Sequence, residues 1–203
     1  LVKAQAKLPY LALAYRVPVL QDVNRDSEPY ALEILSGVLD GHAAARLNQS
    51  LVRESRLATD VGTGYGAISR GPGLFLIEAT PSEGKSVLEL EQGIRQEIAR
   101  VQRDGVSTEE LQRVKAQVVA AQVYQRDSMF YQAMLIGQME SAGLSWRDEK
   151  IMLERLNAVT PEQVQAVAQK YLQDDGLTIA TLDPQPMEAK HAVKKMTGGR
   201  HAH

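Results

Sequence analysis

The sequence predicts an α+β domain, a mostly antiparallel sheet with helices packed on one face. Three observations lead there. The elements run strand, helices, hairpin, a run of helices and strand, an order that segregates helices from strands rather than alternating them. Each helical segment carries one apolar stripe and buries one side only. The turn Arg70-Gly71-Pro72-Gly73 joins two strand-like runs into an antiparallel hairpin.

Taken in order, Tyr10 to Val17 is apolar and aromatic, reads as a strand and stops at Pro18, with a polar loop through Asp26. Ser27 is placed to cap a helix with Pro29 in its first turn, with Ala31, Leu35, Val38 and Leu39 at helical spacing and Gly41 as its stop. Ala43 to Glu54 reads as a second, short helix. From Val61 to Ser69 a strand alternates Val61, Thr63, Tyr65 and Ala67 with Gly62, Gly64 and Gly66, so one face is bare. Leu74 to Thr80 is its hairpin partner. Ser82 and Gly84 open a long helix striped by Val87, Glu91, Ile94, Ile98 and Val101 and stopped by Asp104-Gly105. A further helix starts at Ser107 or Thr108, with Leu111, Val114, Val118 and Ala121 as its stripe, and its helical pattern continues past Ser128. Met129 to Gly137 and Trp146 to Leu156 give two more amphipathic segments around the Gly143 break. Thr160-Pro161-Glu162-Gln163 opens a helix faced by Val164, Val167, Ala168 and Tyr171, and Leu177 to Leu182 is the last strand.

Composition excludes several classes. At 203 residues, 44% hydrophobic and 24% charged, the chain has the size and balance of one globular core. No apolar run reaches the roughly 20 residues of a membrane span. A net charge of -2 with both signs interspersed leaves no footprint for nucleic acid, so neither nucleic acid nor a membrane is an expected partner. The absence of cysteine excludes disulfides, thiolate metal sites and thiol catalysis. It does not fix the compartment, for which the bacterial periplasm is a working expectation. Leu1 to Tyr10 show neither an initiating Met nor a signal core, which suggests a piece of a longer polypeptide. Residues 1–183 are expected to form a single domain. Residues 184–203, with Pro184, Pro186, Lys194, Lys195, Gly198 and Gly199, read as a disordered tail.

No complete catalytic set is present. A zinc site built on one helix needs two histidines on adjacent turns with a glutamate between, as H-E-x-x-H or H-x-x-E-H, and neither order occurs. His42 is the one histidine within the folded body and follows a helix-ending glycine, where a cap or surface role is expected. His191, His201 and His203 lie in the tail without an acidic partner nearby. There is no G-x-S-x-G elbow. The strict alternation of Gly62, Gly64 and Gly66 is not a phosphate loop; it fits a helix packed closely over the bare face or, as the functional reading, an extended peptide approaching there. The cluster Met129, Phe130, Tyr131 and Met134, with Met139 and Trp146, reads as core or domain interface. No catalytic residue, metal ligand or cofactor is assigned to this chain.

The run Ala45-Arg46-Leu47-Asn48-Gln49-Ser50-Leu51-Val52-Arg53-Glu54-Ser55-Arg56-Leu57-Ala58-Thr59, after Leu35-Ser36-Gly37-Val38-Leu39 and before Val61-Gly62, resembles the "SRL-x-x-x-L-V-x-x-x-x-LAY-x-V" segment of the pitrilysin/insulinase (M16) zinc peptidases. Thr108-Glu109-Glu110-Leu111 with Lys115, then Asp127-Ser128 and Gly137, resembles the "s-x-E-E-L-x-x-a-K" stretch and the helix after it. Thr160 to Val164 with Ala168, Lys170 and Tyr171 completes a resemblance over roughly Lys7 to Leu182. It implies one of two similar α+β domains that face each other around a chamber, one holding zinc through H-x-x-E-H and a distal Glu, the other metal-free. Without the histidines, this chain corresponds to the metal-free C-terminal domain, with the zinc in an N-terminal partner domain and a peptide as substrate.

The resemblance also implies an Arg and a Tyr that hold the substrate backbone near the zinc. Here Thr59 stands at the tyrosine position, and the arginine position falls at Val52 with Arg53 beside it. Val52, Arg53 and Thr59 are therefore the candidate substrate-binding residues of a displaced pair. A threonine hydroxyl donates one hydrogen bond without the phenol's reach, so a second M16-like subunit is one source of the clamp. The rival role is a purely structural subunit of the processing-peptidase or respiratory-complex core type; an upstream H-x-x-E-H would separate the two. A free-standing peptide-binding module is the third alternative.

Overall fold

The computed structural model describes residues 1–125 and 127–186. Its elements are β1 (Val2–Gln5), β2 (Tyr10–Val17), α1 (Glu28–Asp40), a π-helical segment Asn48–Glu54, β3 (Ala58–Gly64), β4 (Gly73–Pro81), α2 (Val87–Asp104), α3 (Thr108–Gln125), α4 (Met129–Ser141), α5 (Glu149–Ala158), α6 (Pro161–Tyr171) and β5 (Leu177–Gln185). The sheet order is β1-β5-β2-β4-β3. Every pairing is antiparallel except β1 with β5, which is parallel. The predicted α+β class, with its mostly antiparallel sheet, is the observed one.

Alternation in β2 and β4 divides the sheet into two unlike faces. Leu11, Leu13, Tyr15 and Val17 of β2 are buried beside Phe75, Ile77 and Ala79 of β4 in the antiparallel register, so one face of the two central strands is continuous core. Helices α1, α2 and α6 pack on that face and join one core cluster with α3 and α5. Helix α2 presents Leu90, Ile94, Ile98 and Val101 to it.

Several boundaries differ from the sequence reading. Strand β1 was not foreseen; it is short and exposed and exists by pairing with β5, which runs on to Gln185 and so takes in Pro184 and Gln185 of the expected tail. The rest of that expected tail, from Met187 on, lies outside the described residues. Helix α2 begins at Val87, because Ser86 accepts from the Glu89 amide while the Glu89 carboxylate accepts from the Ser86 amide. Gly105 ends it at φ 71°, a left-handed turn that glycine adopts without Cβ strain. Strand β3 stops at Gly64 rather than Ser69. Beyond it the Leu20 amide donates to the Ala67 carbonyl (2.8 Å) and the Tyr65 hydroxyl to the Pro18 carbonyl (2.7 Å), so the chain turns from β4 towards the loop after β2. The expected helix from Ala43 shrinks to the π-helical segment, whose Ser55 amide reaches back to the Ser50 carbonyl.

Polar ties hold the helical layer. Arg46 donates to both carboxylate oxygens of Glu110 (2.9 and 2.7 Å) and to the Gly105 carbonyl (2.9 Å), tying the segment after α1 to the α2–α3 junction. Gln102 donates to the Ala168 and Leu172 carbonyls while Gln165 and Gln169 donate back to the Gln102 carbonyl, which clasps α2 to α6. The buried Lys115 donates to the Asn157 carbonyl (2.7 Å) and satisfies the end of α5. Glu28 accepts from Lys170 and Tyr171, joining the start of α1 to the end of α6.

Two predictions follow from these ties. Arg46→Met leaves Glu110 and the Gly105 carbonyl without their donor and should lower unfolding free energy by about 2 kcal/mol; Arg46→Lys should recover little, because an ammonium lacks the two-pronged geometry. Urea denaturation of the three proteins measures this, and a variant within error of the parent would rule the clamp out as a structural tie. For Glu28, burial raises the carboxyl pKa, and the hydrogen bonds from Lys170 and Tyr171 outweigh it, leaving the pKa below its ordinary 4.5. Its stabilising effect is present above that ordinary value and is lost as pH falls through the lower folded one. Glu28→Gln should therefore melt below the parent near neutral pH and converge with it as the buffer is acidified, which melting curves over an acidic pH series will show.

Candidate functional site

The segment that carries the sequence-predicted site residues is built as scaffold with a few exposed side chains. Leu47 and Leu51 are fully buried, and Gly93 of α2 passes so close that a Cβ there would meet Leu51 Cδ2 at 2.8 Å and Leu57 Cδ1 at 3.0 Å. Ser50 donates to Glu97 (2.8 Å), which is buried and also accepts from Arg100 (2.9 Å). Asp40 accepts from the Asn48 amide group and from the Thr63 backbone N–H (3.1 Å), so a carboxylate covers a donor on the outer edge of β3. The Thr63 hydroxyl meets Ser36 on α1.

Of the three candidate positions, Val52 is half-buried and packs against the core, whereas Arg53 and Thr59 are exposed. The Thr59 hydroxyl turns back to donate to the Thr80 carbonyl (3.3 Å). Between them Arg56 adopts φ 51°, the one non-glycine residue with positive φ among the described residues. That left-handed turn ends the π-helical segment and throws the chain into β3. Nothing in the sequence signals it, because glycine is the usual residue there. His42 accepts the Ala44 amide on Nδ1 (3.0 Å) and caps its own turn. Among the described residues no group of three or more His, Asp or Glu side chains is placed to hold a metal ion.

The second half of the site is the sheet face away from the helices. Strand register lines up its side chains in rows: Asp60, Thr80, Tyr10, Leu182 and Val2; then Gly62, Glu78, Ala12 and Ala180; then Gly64, Leu76, Ala14 and Thr178; then Leu74 beside Arg16. The two middle rows consist mostly of glycine, alanine and threonine and form a shallow trough between the larger outer rows, divided at β4 by Glu78 and Leu76. Among the described residues the glycines meet no close-packed helix: a Cβ on Gly62 would meet only the Asp40 carboxylate at the end of α1, at 3.5 Å, and one on Gly64 only Leu76 Cβ of the neighbouring strand, at 3.9 Å. The expected close-packed helix over this bare face is thus not supplied by the chain itself. Burial, with Glu78 and Asp60 alongside, pushes the Tyr10 phenol up to about 12, so it stays a neutral hydrogen-bonding group on the trough's rim. The trough was legible in part, since Ala12 and Ala14 alternate with Leu11, Leu13 and Tyr15.

The cluster around Met129 is divided. Met139 is core, and Tyr131 lines a cavity of about 260 Å³ with Tyr30, Tyr65, Met152 and Leu156. Met129, Phe130, Met134 and Trp146 stand in solvent.

Comparison with known proteins places this architecture. The fold superposes on a protease from Helicobacter pylori with a TM-score of 0.81 at 20% identity, covering 90% of this chain and 43% of that one. It superposes on the inactive peptidase domain of a candidate zinc protease from Bordetella parapertussis with a TM-score of 0.78 at 19% identity, covering 94% of this chain and 98% of that one. A chain of complex III2 from Candida albicans matches at a TM-score of 0.71 and 16% identity over 89% of this chain and 44% of that one. These likenesses establish a shared fold, and the chain spans less than half of the Helicobacter and Candida chains. Curated protein sequences give no match. Residues 1–118, which contain the Arg46 clamp, the trough strands β2, β3 and β4 and the candidate positions, match the family described as "Peptidase M16 inactive domain", and the chain belongs to that family.

Proposed function

We propose that this domain is the non-catalytic half of a zinc-dependent endopeptidase, forming part of the chamber wall and the interface opposite a zinc-bearing domain. The observation that carries the reading is the uncovered trough. Tyr10 and Arg16 bound it along β2 and lie six residues apart, roughly 20 Å at strand spacing, which leaves room for a helix about 10 Å across laid over the small residues. A helix over Ala12, Ala14, Ala180 and Thr178 of β2 and β5 needs close backbone approach, and those residues permit it, with Glu78 and Leu76 of β4 bordering it. In this reading the helix comes from the zinc-bearing half. Zinc, activated water and general base belong to that half; this chain supplies packing surface and substrate contact.

Within the chamber, Arg53 and Thr59 are the side chains of the displaced pair that reach solvent. Arg53 has a guanidinium able to donate to a peptide carbonyl, and Thr59 marks the place where a phenol would reach further. Val52, packed against the core, contributes support rather than contact. The rival role, a structural subunit of the processing-peptidase or respiratory-complex type, shares the fold and leaves the trough covered in the same way, but it gives a full-length protein that does not hydrolyse peptides.

Ala12→Trp or Ala14→Trp fills the trough without touching the helical core. Each should leave the isolated domain's melting temperature within a few degrees of the parent while reducing association with the zinc-bearing half at least tenfold, the equivalent of about 1.4 kcal/mol. Co-purification and titration of the two halves decide it; unchanged association would mean that the trough faces elsewhere. Thr59→Tyr in the full-length, zinc-loaded protein should tighten peptide binding by up to about tenfold, the worth of one hydrogen bond, with little change in stability. A fall in stability with unchanged peptide affinity would show that Thr59 serves the sheet through its bond to Thr80 rather than the chamber. Absence of any peptide hydrolysis by that full-length protein would favour the structural role.

A further inference from the structure

We infer that helix α4 is a self-association surface through which two copies of this chain pair about a two-fold axis. Helix α4 is mostly apolar, and all of its residues except Tyr131, Leu135 and Met139 are exposed. Phe130 is 79% exposed and Met129 86%, with Met134 and Ile136 also in solvent. Its single charged residue, Glu140, accepts from the Trp146 backbone N–H (3.2 Å). A second copy would therefore meet this face without a run of like charges opposing the contact.

The face also holds both halves of a complementary contact. Phe130, Met134, Gly137 and Ser141 fall on one side of the helix by their spacing. Gly137 floors an open groove of about 390 Å³, walled by Met134, Gln138 and Ser141 on α4 and by Ile68, Ser69 and Arg70 on the loop after β3. A Cβ at Gly137 would meet nothing within 4 Å, so the groove is empty of neighbouring atoms there. Phe130, the protruding side chain, stands seven residues before Gly137, about 10 Å along the helix. Antiparallel α4 helices crossing near Ala133 set Phe130 of each copy into the Gly137 groove of the other. One ridge and one groove on the same helix face, offset along its axis, make an isologous contact that closes on itself. Arg70 at the groove's rim is placed to cover the inserted ring. A single thirteen-residue helix offers less than the roughly 800 Å² per partner of a stable complex, so the pair is weak, with a dissociation constant on the order of 0.1 mM.

Sedimentation equilibrium of the 203-residue chain from about 10 μM to 1 mM, spanning that constant, tests the pairing. The parent should pass from monomer to dimer across the range. Phe130→Ala should weaken the dimer at least tenfold by removing the ridge. Gly137→Leu should abolish it by filling the groove, while leaving the melting temperature equal or higher, since the position is open and leucine favours helix over glycine. Leu74→Glu, on the uncovered sheet face, should leave the dimer intact. A parent that stays monomeric throughout, a dimer indifferent to Phe130→Ala and Gly137→Leu, or a dimer lost with Leu74→Glu would each overturn the inference.

Discussion

The one-sided burial of β2 and β4 is the constraint on which the rest of the molecule depends. Leu11, Leu13 and Tyr15 lie next to Phe75, Ile77 and Ala79, and this continuous apolar layer is what α1, α2 and α6 cover. Because side chains alternate along a strand, committing those residues to the helices commits Ala12, Ala14, Leu76 and Glu78 to the other side. The uncovered face is therefore not an accident of a loose fold. A one-residue slip of register would exchange the two faces, and the small residues of the trough would leave the core empty.

The motifs that identify the family mostly describe scaffolding. Arg46, the arginine of the segment after α1, bonds Glu110, the second glutamate of the later helix start, although the two are 64 positions apart. Lys115, one turn further on, satisfies the end of α5. Ser50 and Glu97 tie the same segment to α2. These contacts fix where Arg53 and Thr59 emerge, and Arg56 sets the angle at which the chain enters β3. Hydrogen-bonded charge pairs between distant segments hold such a frame to fixed geometry better than apolar contacts, which tolerate sliding.

Much of the fold was legible because its signals are local. The helix start at Thr160, the stop at Gly105 and the alternation of β2 all arise within a few residues, whereas the helical pattern expected to run past Ser128 is broken there, with Ser128 capping α4. The errors came where a distant partner decides. β1 has no apolar pattern of its own and is a strand only beside β5; β3 stops early because Ala67 and Tyr65 bond the loop at Pro18 and Leu20. For the site, the absence of H-x-x-E-H is a matter of sequence alone, whereas the half-burial of Val52 could not be read there, since it depends on how the π-helical segment rolls against the core. The Met129 cluster read as interior or interface, and the structure divides it residue by residue between the interior and solvent.

The position of β5 has a consequence for how the chain reaches this state. It is the last strand of the described residues, yet it lies between β1 and β2, the first two. During synthesis β2 pairs with β4 but keeps an open edge until Leu177 to Gln185 is made, and β1 has nothing to pair with at all. Closing the sheet joins residues about as far apart in sequence as the domain allows, which makes it a late and slow event. Through that interval the nascent domain exposes an apolar central strand to any other chain nearby, so its period of greatest exposure to misassembly falls before its final strand arrives.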